Sequence, residues 1–147
     1  MEIEKKFLVK TMPARLDQYP HDQIEQAYLC TAPVMRIRRH GDHYTFTYKG
    51  SGMMIREEYN LPLTAEAFAH LLPKADGKII QKTRYKIPYS CNEQDLTIEL
   101  DIFQSPNELV MAEVEFPDEA SATHFIAPDW FGEEVTQNPA YHNCNMI

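Results

Sequence analysis

The sequence predicts an α+β fold dominated by antiparallel β-structure, with up to eight short strands forming a sheet or barrel and a few helices. Three observations carry this. Polar and apolar residues alternate with a period of two along most of the chain. The alternation is clearest at Asp95–Phe103, where Leu96, Ile98, Leu100 and Ile102 oppose Thr97, Glu99, Asp101 and Phe103. Turn-forming residues separate the runs, at Gly41-Asp42, Gly50-Ser51-Gly52 and Ser105-Pro106-Asn107. Apolar residues at helical spacing occur around Thr64–Leu72 and Asp118–Phe125.

In chain order, the first strand runs to about Lys10, with Glu2, Glu4 and Lys6 on one face and Ile3 and Phe7 on the other. Pro13–Gln18 has room only for a short helix. Gln23–Cys30 is strand-like, with Ile24, Gln26 and Tyr28 sharing a face, and Thr31-Ala32-Pro33 breaks it. Val34–His40 places Arg36 and Arg38 opposite Met35 and Ile37. Tyr44–Lys49 places Thr45, Thr47 and Lys49 opposite Tyr44, Phe46 and Tyr48. Met53–Leu61 reads as one strand, with Arg56 and Glu58 on one side. Thr64 is the expected N-cap of a helix that Pro73 stops. Ile79–Ile87 groups Lys82, Arg84 and Lys86; Pro88–Glu93 is expected to be a loop. Leu109–Phe116 places Val110, Ala112, Val114 and Phe116 against Met111, Glu113 and Glu115. Trp130-Phe131-Gly132 and the polar tail after it yield no local prediction.

The 147 residues suit one domain, 1–147, with a hydrophobic core of its own. No apolar run approaches a membrane span, and the charged N-terminus argues against a signal peptide. Cys30, Cys91 and Cys144 are widely spaced and form no CxxC, so reduced thiols in a cytoplasmic protein are expected. His40 and His43 flank Gly41-Asp42 and are expected to be solvated turn residues. The net charge of −8 would repel nucleic acid and other polyanions, so an anion site must be locally basic or neutralised by metal.

The polar rows leave two arrangements open. In an ordinary barrel they would meet solvent while the apolar rows fill the interior. Two features favour the inverse. Charge is sorted by strand, with Arg36/Arg38 and Lys82/Arg84 basic and Glu99/Asp101 and Glu113/Glu115 acidic. The two amphipathic helices could also cover the apolar rows from outside. If the charged rows line a lumen, Lys6, Arg36, Arg38, Lys49, Arg56, Lys82 and Arg84 form a cationic cradle suited to phosphate oxygens. Glu2, Glu4, Asp101, Glu113 and Glu115 are hard oxygen ligands that suit Mg²⁺ or Mn²⁺. Both signs in one cavity suit a metal-bound polyphosphate.

Read in order, Glu2-x-Glu4-x-Lys6, Gln26-Ala27-Tyr28-Leu29, Arg36-Ile37-Arg38, Thr47-Tyr48-Lys49-Gly50, Arg56-Glu57-Glu58, Lys82-Thr83-Arg84-Tyr85, Glu99-Leu100-Asp101, Glu113-Val114-Glu115 and Glu134-Val135-Thr136 with Tyr141 and Asn143 resemble the CYTH, or triphosphate tunnel metalloenzyme, family. The resemblance covers nearly the whole chain. It departs where a Trp often precedes the Glu-x-Asp pair; here Thr97-Ile98 stands before Glu99.

The resemblance implies an eight-stranded antiparallel β-barrel, a tunnel with a charged lumen and external helices. It also implies chemistry on a triphosphate that depends on Mg²⁺ or Mn²⁺, with two ions. Glu58 joins Glu2, Glu4, Asp101, Glu113 and Glu115 as a ligand by position, and the seven basic residues hold phosphates. Tyr28 is the expected catalytic base, against the alternative of a buried structural tyrosine. Inorganic triphosphate hydrolysis is the leading activity; a class IV-type adenylate cyclase or a non-catalytic polyphosphate-binding module are alternatives. The partner is then a small triphosphate rather than nucleic acid or membrane, and a homodimer would be in keeping with the resemblance.

Overall fold

The computed structural model describes residues 1–147. Ten strands form a sheet: β1 (Glu2–Val9), β2 (His21–Thr31), β3 (Val34–His40), β4 (His43–Lys49), β5 (Ile55–Arg56), β6 (Glu58–Pro62), β7 (Asp76–Cys91), β8 (Gln94–Ser105), β9 (Leu109–Glu115) and β10 (Phe131–Glu134). All the recorded strand pairings are antiparallel. The order is β10-β1-β9-β8-β7-β2-β3-β4-β6, with β5 back on β1.

That last pairing closes the barrel. The expected single strand Met53–Leu61 is interrupted at Glu57. Downstream, Glu58 pairs with Lys49 of β4; upstream, Arg56 pairs with Glu2 of β1. One segment therefore bridges the two ends of the sheet, and the β5/β6 pair serves as the eighth wall strand. β10, which had no sequence signature, extends the same edge of β1 beyond β5 through Phe7 opposite Glu134. Gly132 permits this approach, because a Cβ there would lie 3.3 Å from the Leu8 carbonyl oxygen.

The expected loop Pro88–Glu93 is instead strand as far as Cys91. Pro88 opposes Thr97, and the β7–β8 hairpin turns at Asn92 and Glu93, whose φ angles are 52° and 61°. Two successive positive φ values make the tight hairpin turn whose twist matches the flanking strands, and Asn tolerates that conformation.

The apolar rows face outward and are covered. Ile98, Leu100, Ala112 and Val114 pack with Phe7, Phe116 and Phe131 under α2 (Glu119–Thr123), whose Ala122 is fully buried. Asp118 caps that helix, accepting from the Ser121 amide at 2.7 Å. α1 (Ala65–Leu71) lays Phe68 on Ala27 and Ile37, and Thr64 caps it by accepting from the Ala67 amide at 3.0 Å. Each cap supplies an acceptor to an amide that the first helical turn leaves unpaired. A third cluster, of Tyr28, Val34, Ile80, Phe103, Met111 and Val135, packs against Tyr141, Cys144, Met146 and Ile147 of the C-terminal tail. Tyr28, Val34, Phe103 and Met111 belong to the inward rows, so this cluster and the tail seal one end of the barrel. No helix is long and apolar enough to cross a membrane.

Candidate active site: a charged tunnel

With the apolar rows outside, strand alternation turns the charged rows inward. They meet around a cavity of about 230 Å³ lined by Glu2, Glu4, Lys6, Arg36, Arg38, His40, Lys49, Glu58, Arg84, Glu99, Glu113, Glu115 and Asn143. At the open end lies a wider vestibule of about 690 Å³, bounded by Asp22, Arg38, His40, Asp42, His43, Thr45 and Lys86 among others. At the sealed end a chamber of about 20 Å³ is lined by Lys6, Tyr28, Arg36, Lys49, Arg56, His142 and Asn143, with Val34 and Cys144.

The acidic rows of β8 and β9 lie side by side, with Glu99 opposite Glu113, and basic side chains from β1 and β7 on either side pair with them. Lys6 Nζ sits 3.2 Å from Glu113 and 3.6 Å from Glu4. Lys49 Nζ sits 3.0 Å from Glu2 and 3.4 Å from Glu58. Arg84 donates through Nε and Nη2 to both Asp101 oxygens, at 2.7 and 2.8 Å. It also reaches Glu99 at 3.2 Å and Glu113 at 3.3 Å. Arg36 and Arg38 differ, because neither has a carboxylate partner. Arg36 Nη2 donates to Thr47 Oγ1 at 3.2 Å, and Arg38 Nε donates to Gln26 Oε1 at 2.9 Å. Burial, with Arg36 and Arg84 close by, lowers Arg38 to about 9. The tunnel thus keeps two guanidinium groups in reserve.

The acidic side is crowded. Carboxylate oxygens of Glu4, Glu99 and Glu113 come within 4.8 Å of one another. Burial and the Glu4 charge raise Glu2 to about 8. Burial and Glu113 raise Glu4, and burial with Glu58 and Glu99 raises Glu115. Burial would raise Glu113 as well, but Lys6, Lys82 and Arg84 outweigh it and hold it well below the usual range. Crowding that pushes Glu2, Glu4 and Glu115 toward the protonated form is what a divalent cation relieves. The donor set is all hard oxygen, which fits Mg²⁺ or Mn²⁺ and suits thiolate-seeking metals poorly.

The structure places Glu2, Glu4, Glu58, Glu113, Glu115, Lys6, Arg36, Arg38, Lys49 and Arg84 on the tunnel and Arg56 and Tyr28 on the sealed chamber. Lys82 and Asp101 share the inward rows but are fully buried and line no part of the main cavity, with Lys82 Nζ 2.7 Å from Asp101 Oδ2 and 5.1 Å from the Phe103 ring centre. Both Asp101 oxygens are taken by Lys82 and Arg84. Glu99, on the acidic row but absent from the expected ligand set, belongs to the crowded triad. His40, expected as a solvated turn residue, instead lines the tunnel rim and pairs with Asp22 at 2.9 Å. It continues the Arg36, Arg38 row by one more step of two, and that parity was readable. Asn143 and His142 reach the site from a tail with no periodicity to read.

A closed antiparallel barrel holding carboxylates and unpaired guanidinium groups in one enclosed cavity defines a tunnel-type protein built for a metal-associated polyanion. The chain belongs to the CYTH domain family, whose family model matches residues 1–142. It is 39% identical over 149 residues to an inorganic triphosphatase of Nitrosomonas europaea, covering 97% of this chain and 93% of that one. It is 36% identical over 152 residues to an inorganic triphosphatase of Acetivibrio thermocellus, covering 99% and 92%. A crystal structure of an inorganic triphosphatase superimposes with a TM-score of 0.69 at 36% identity, over 99% of this chain and 93% of that one. A Pyrococcus horikoshii protein shares the fold, with a TM-score of 0.56 at 17% identity over 89% and 94%.

Proposed function

We propose that this protein hydrolyses inorganic triphosphate to pyrophosphate and phosphate inside the tunnel, with two Mg²⁺ or Mn²⁺ ions. One observation carries the reading: two guanidinium groups without carboxylate partners, Arg36 buried and Arg38 half-buried, share a cavity with a triad of converging carboxylates. The names of the relatives at 36–39% identity support it. Reduced cysteines, all three free, fit a cytoplasmic setting.

Arg36 and Arg38 would grip phosphate oxygens with their forked donors and stabilise charge on the equatorial oxygens as the terminal bond breaks. Lys6, Lys49, Arg56 and Arg84 would add positive charge along the chain of phosphates. Lys82 would act at one remove, through Asp101 and Arg84. Glu4, Glu99 and Glu113 would hold one ion, and Glu2, Glu58 and Glu115 offer oxygens for a second. When bound, such ions offset phosphate charge and acidify nearby water. Asp101, fully buried and off the tunnel lining, would orient Arg84 and Lys82 rather than ligate metal. The Tyr28 oxygen accepts from Gln26 Nε2 at 3.1 Å, which frees its O–H to donate to a terminal phosphate oxygen.

The test is phosphate release from tripolyphosphate with Mg²⁺ or Mn²⁺, run beside ATP and a chelated control. Metal-dependent release from tripolyphosphate is expected. Cyclic AMP from ATP would point to a cyclase instead, and tight binding without release to a binding module.

A further inference from the structure

The sealed end of the tunnel holds a group that the phosphate and metal sets leave unused. His142 is 5% exposed, and its Nε2 lies 3.0 Å from the main-chain oxygen of Thr136. A carbonyl oxygen only accepts, so Nε2 carries the hydrogen and Nδ1 carries the lone pair. The residue lines the sealed chamber, where Lys6 of β1, Tyr28 of β2, Arg36 of β3, Lys49 of β4 and Arg56 of β5 face it, with Cys144 from its own tail. Burial, with Lys6, Arg56 and Lys49 nearby, disfavours the imidazolium and keeps the ring neutral.

The adjacent side chain supplies a second, independent observation. Asn143 is 8% exposed, and its Oδ1 is buried with no hydrogen-bond partner; Arg36 Nε is buried and unpartnered as well. Each orphan carries a desolvation penalty until something pairs with it. A fully ionised phosphate could satisfy the arginine N–H, but it brings no donor for Asn143 Oδ1. A water can satisfy either, because it donates and accepts. The chamber's volume of about 20 Å³ exceeds the roughly 10–15 Å³ that one water requires. Lys6, Arg36, Lys49 and Asn143 line both this chamber and the main tunnel, so a water there adjoins the phosphate-binding cavity.

We propose that His142 is the general base of the reaction and that, with Asn143, it holds the nucleophilic water at the sealed end. The proposal rests on the triphosphatase reading above. The water oxygen forms a bond to the terminal phosphorus, and its proton passes to His142 Nδ1. The bond from that phosphorus to the bridging oxygen breaks, and its electron pair leaves with pyrophosphate. Thr136 fixes the ring orientation from behind, as a carbonyl partner does for a catalytic imidazole.

His142→Gln separates this role from a structural one. The glutamine Nε2 can keep the bond to the Thr136 carbonyl, but no base remains. With tripolyphosphate and Mg²⁺, kcat is expected to fall about 100-fold with KM within about threefold, and the acidic limb of the kcat profile should disappear. A variant kcat within about threefold of wild type would overturn the proposal and leave His142 as a peg for the tail. Wild-type protein that releases no phosphate would sink the triphosphatase reading itself, a different outcome. Should the variant fail to fold, nitrogen NMR of the wild-type imidazole decides. A ring bearing hydrogen on Nε2 alone between about pH 7 and about pH 9 is expected. A ring protonated on Nδ1 across that range would overturn the assignment.

Discussion

Lys82 Nζ lies 2.7 Å from Asp101 Oδ2, and neither side chain is exposed to solvent. The pair forms part of the wall that holds Arg84 against the tunnel, since Arg84 also donates to both Asp101 oxygens. Burial would raise the Asp101 carboxyl, but Arg84 and Lys82 outweigh it and hold it below the usual range. Asp101→Asn leaves a buried ammonium and part of a guanidinium without their counter-charge. Breaking one side of a buried ion pair costs about 3–5 kcal/mol. Urea denaturation should show a loss of that size. An unchanged midpoint would mean that the tunnel can rehydrate these cations.

The acidic cluster makes the metal-free protein respond to pH in a specific direction. Glu2 ionises near the ordinary glutamate value of 4.5 when the chain is unfolded and at about 8 when it is folded. Between those values the folded chain holds a proton that the unfolded chain has lost, so this group makes stability fall as pH rises. The raised Glu4 and Glu115 act with the same sign. In chelator, the Tm should therefore decline across that window. Mg²⁺ should recover the loss at the alkaline end, because ligation favours the ionised carboxylates and expels their protons. Calorimetry in two buffers of different ionisation enthalpy should register the proton release, and its absence would argue against carboxylate ligation.

Glu99 lies on β8 at the junction of Arg84 and the carboxylate triad. Glu99→Gln preserves shape while removing one negative charge and one hard ligand. The Mg²⁺ concentration for half-maximal phosphate release should rise at least about tenfold, with the melting temperature little changed. Glu115→Gln should act in the same direction. If Glu99→Gln has wild-type metal dependence, the ion sits elsewhere among Glu2, Glu4, Glu58 and Glu113.

Most of the barrel and of the site was legible because alternation in a strand is rigid. Once Ile37 and Val114 are placed under helices, Arg36, Arg38, Glu113 and Glu115 must face inward. Inward orientation did not distinguish a residue that reaches open space from one walled off beside it. Asp101 and Glu99 share a face two residues apart, yet the first is consumed by Lys82 and Arg84 while the second reaches the tunnel. That depends on cross-strand register, which a single strand does not record. The break at Glu57 was hidden for a related reason: the segment changes partner from β1 to β4 without a turn signal. His142 was hidden, and Asn143 was marked only by the family resemblance, because short helical turns in a polar tail have no repeating pattern, and the tail takes its position from apolar contacts of Tyr141, Met146 and Ile147.

Arg38 sets stability against binding. Its guanidinium is half-buried beside Arg36 and Arg84, has no carboxylate partner, and is lowered to about 9, so the folded state bears a cost for keeping it charged. Arg38→Gln removes that charge while retaining a donor for Gln26. The metal-free variant should melt a few degrees higher than wild type, corresponding to about 1 kcal/mol. Its KM for tripolyphosphate should rise at least about tenfold, because a charge-assisted hydrogen bond contributes about 1.5–3 kcal/mol. Tripolyphosphate should also raise the melting temperature of wild type more than that of the variant, since stabilisation by a ligand follows its affinity for the folded state. A variant less stable than wild type with unchanged KM would show that Arg38 is a structural cation rather than a phosphate ligand held in reserve.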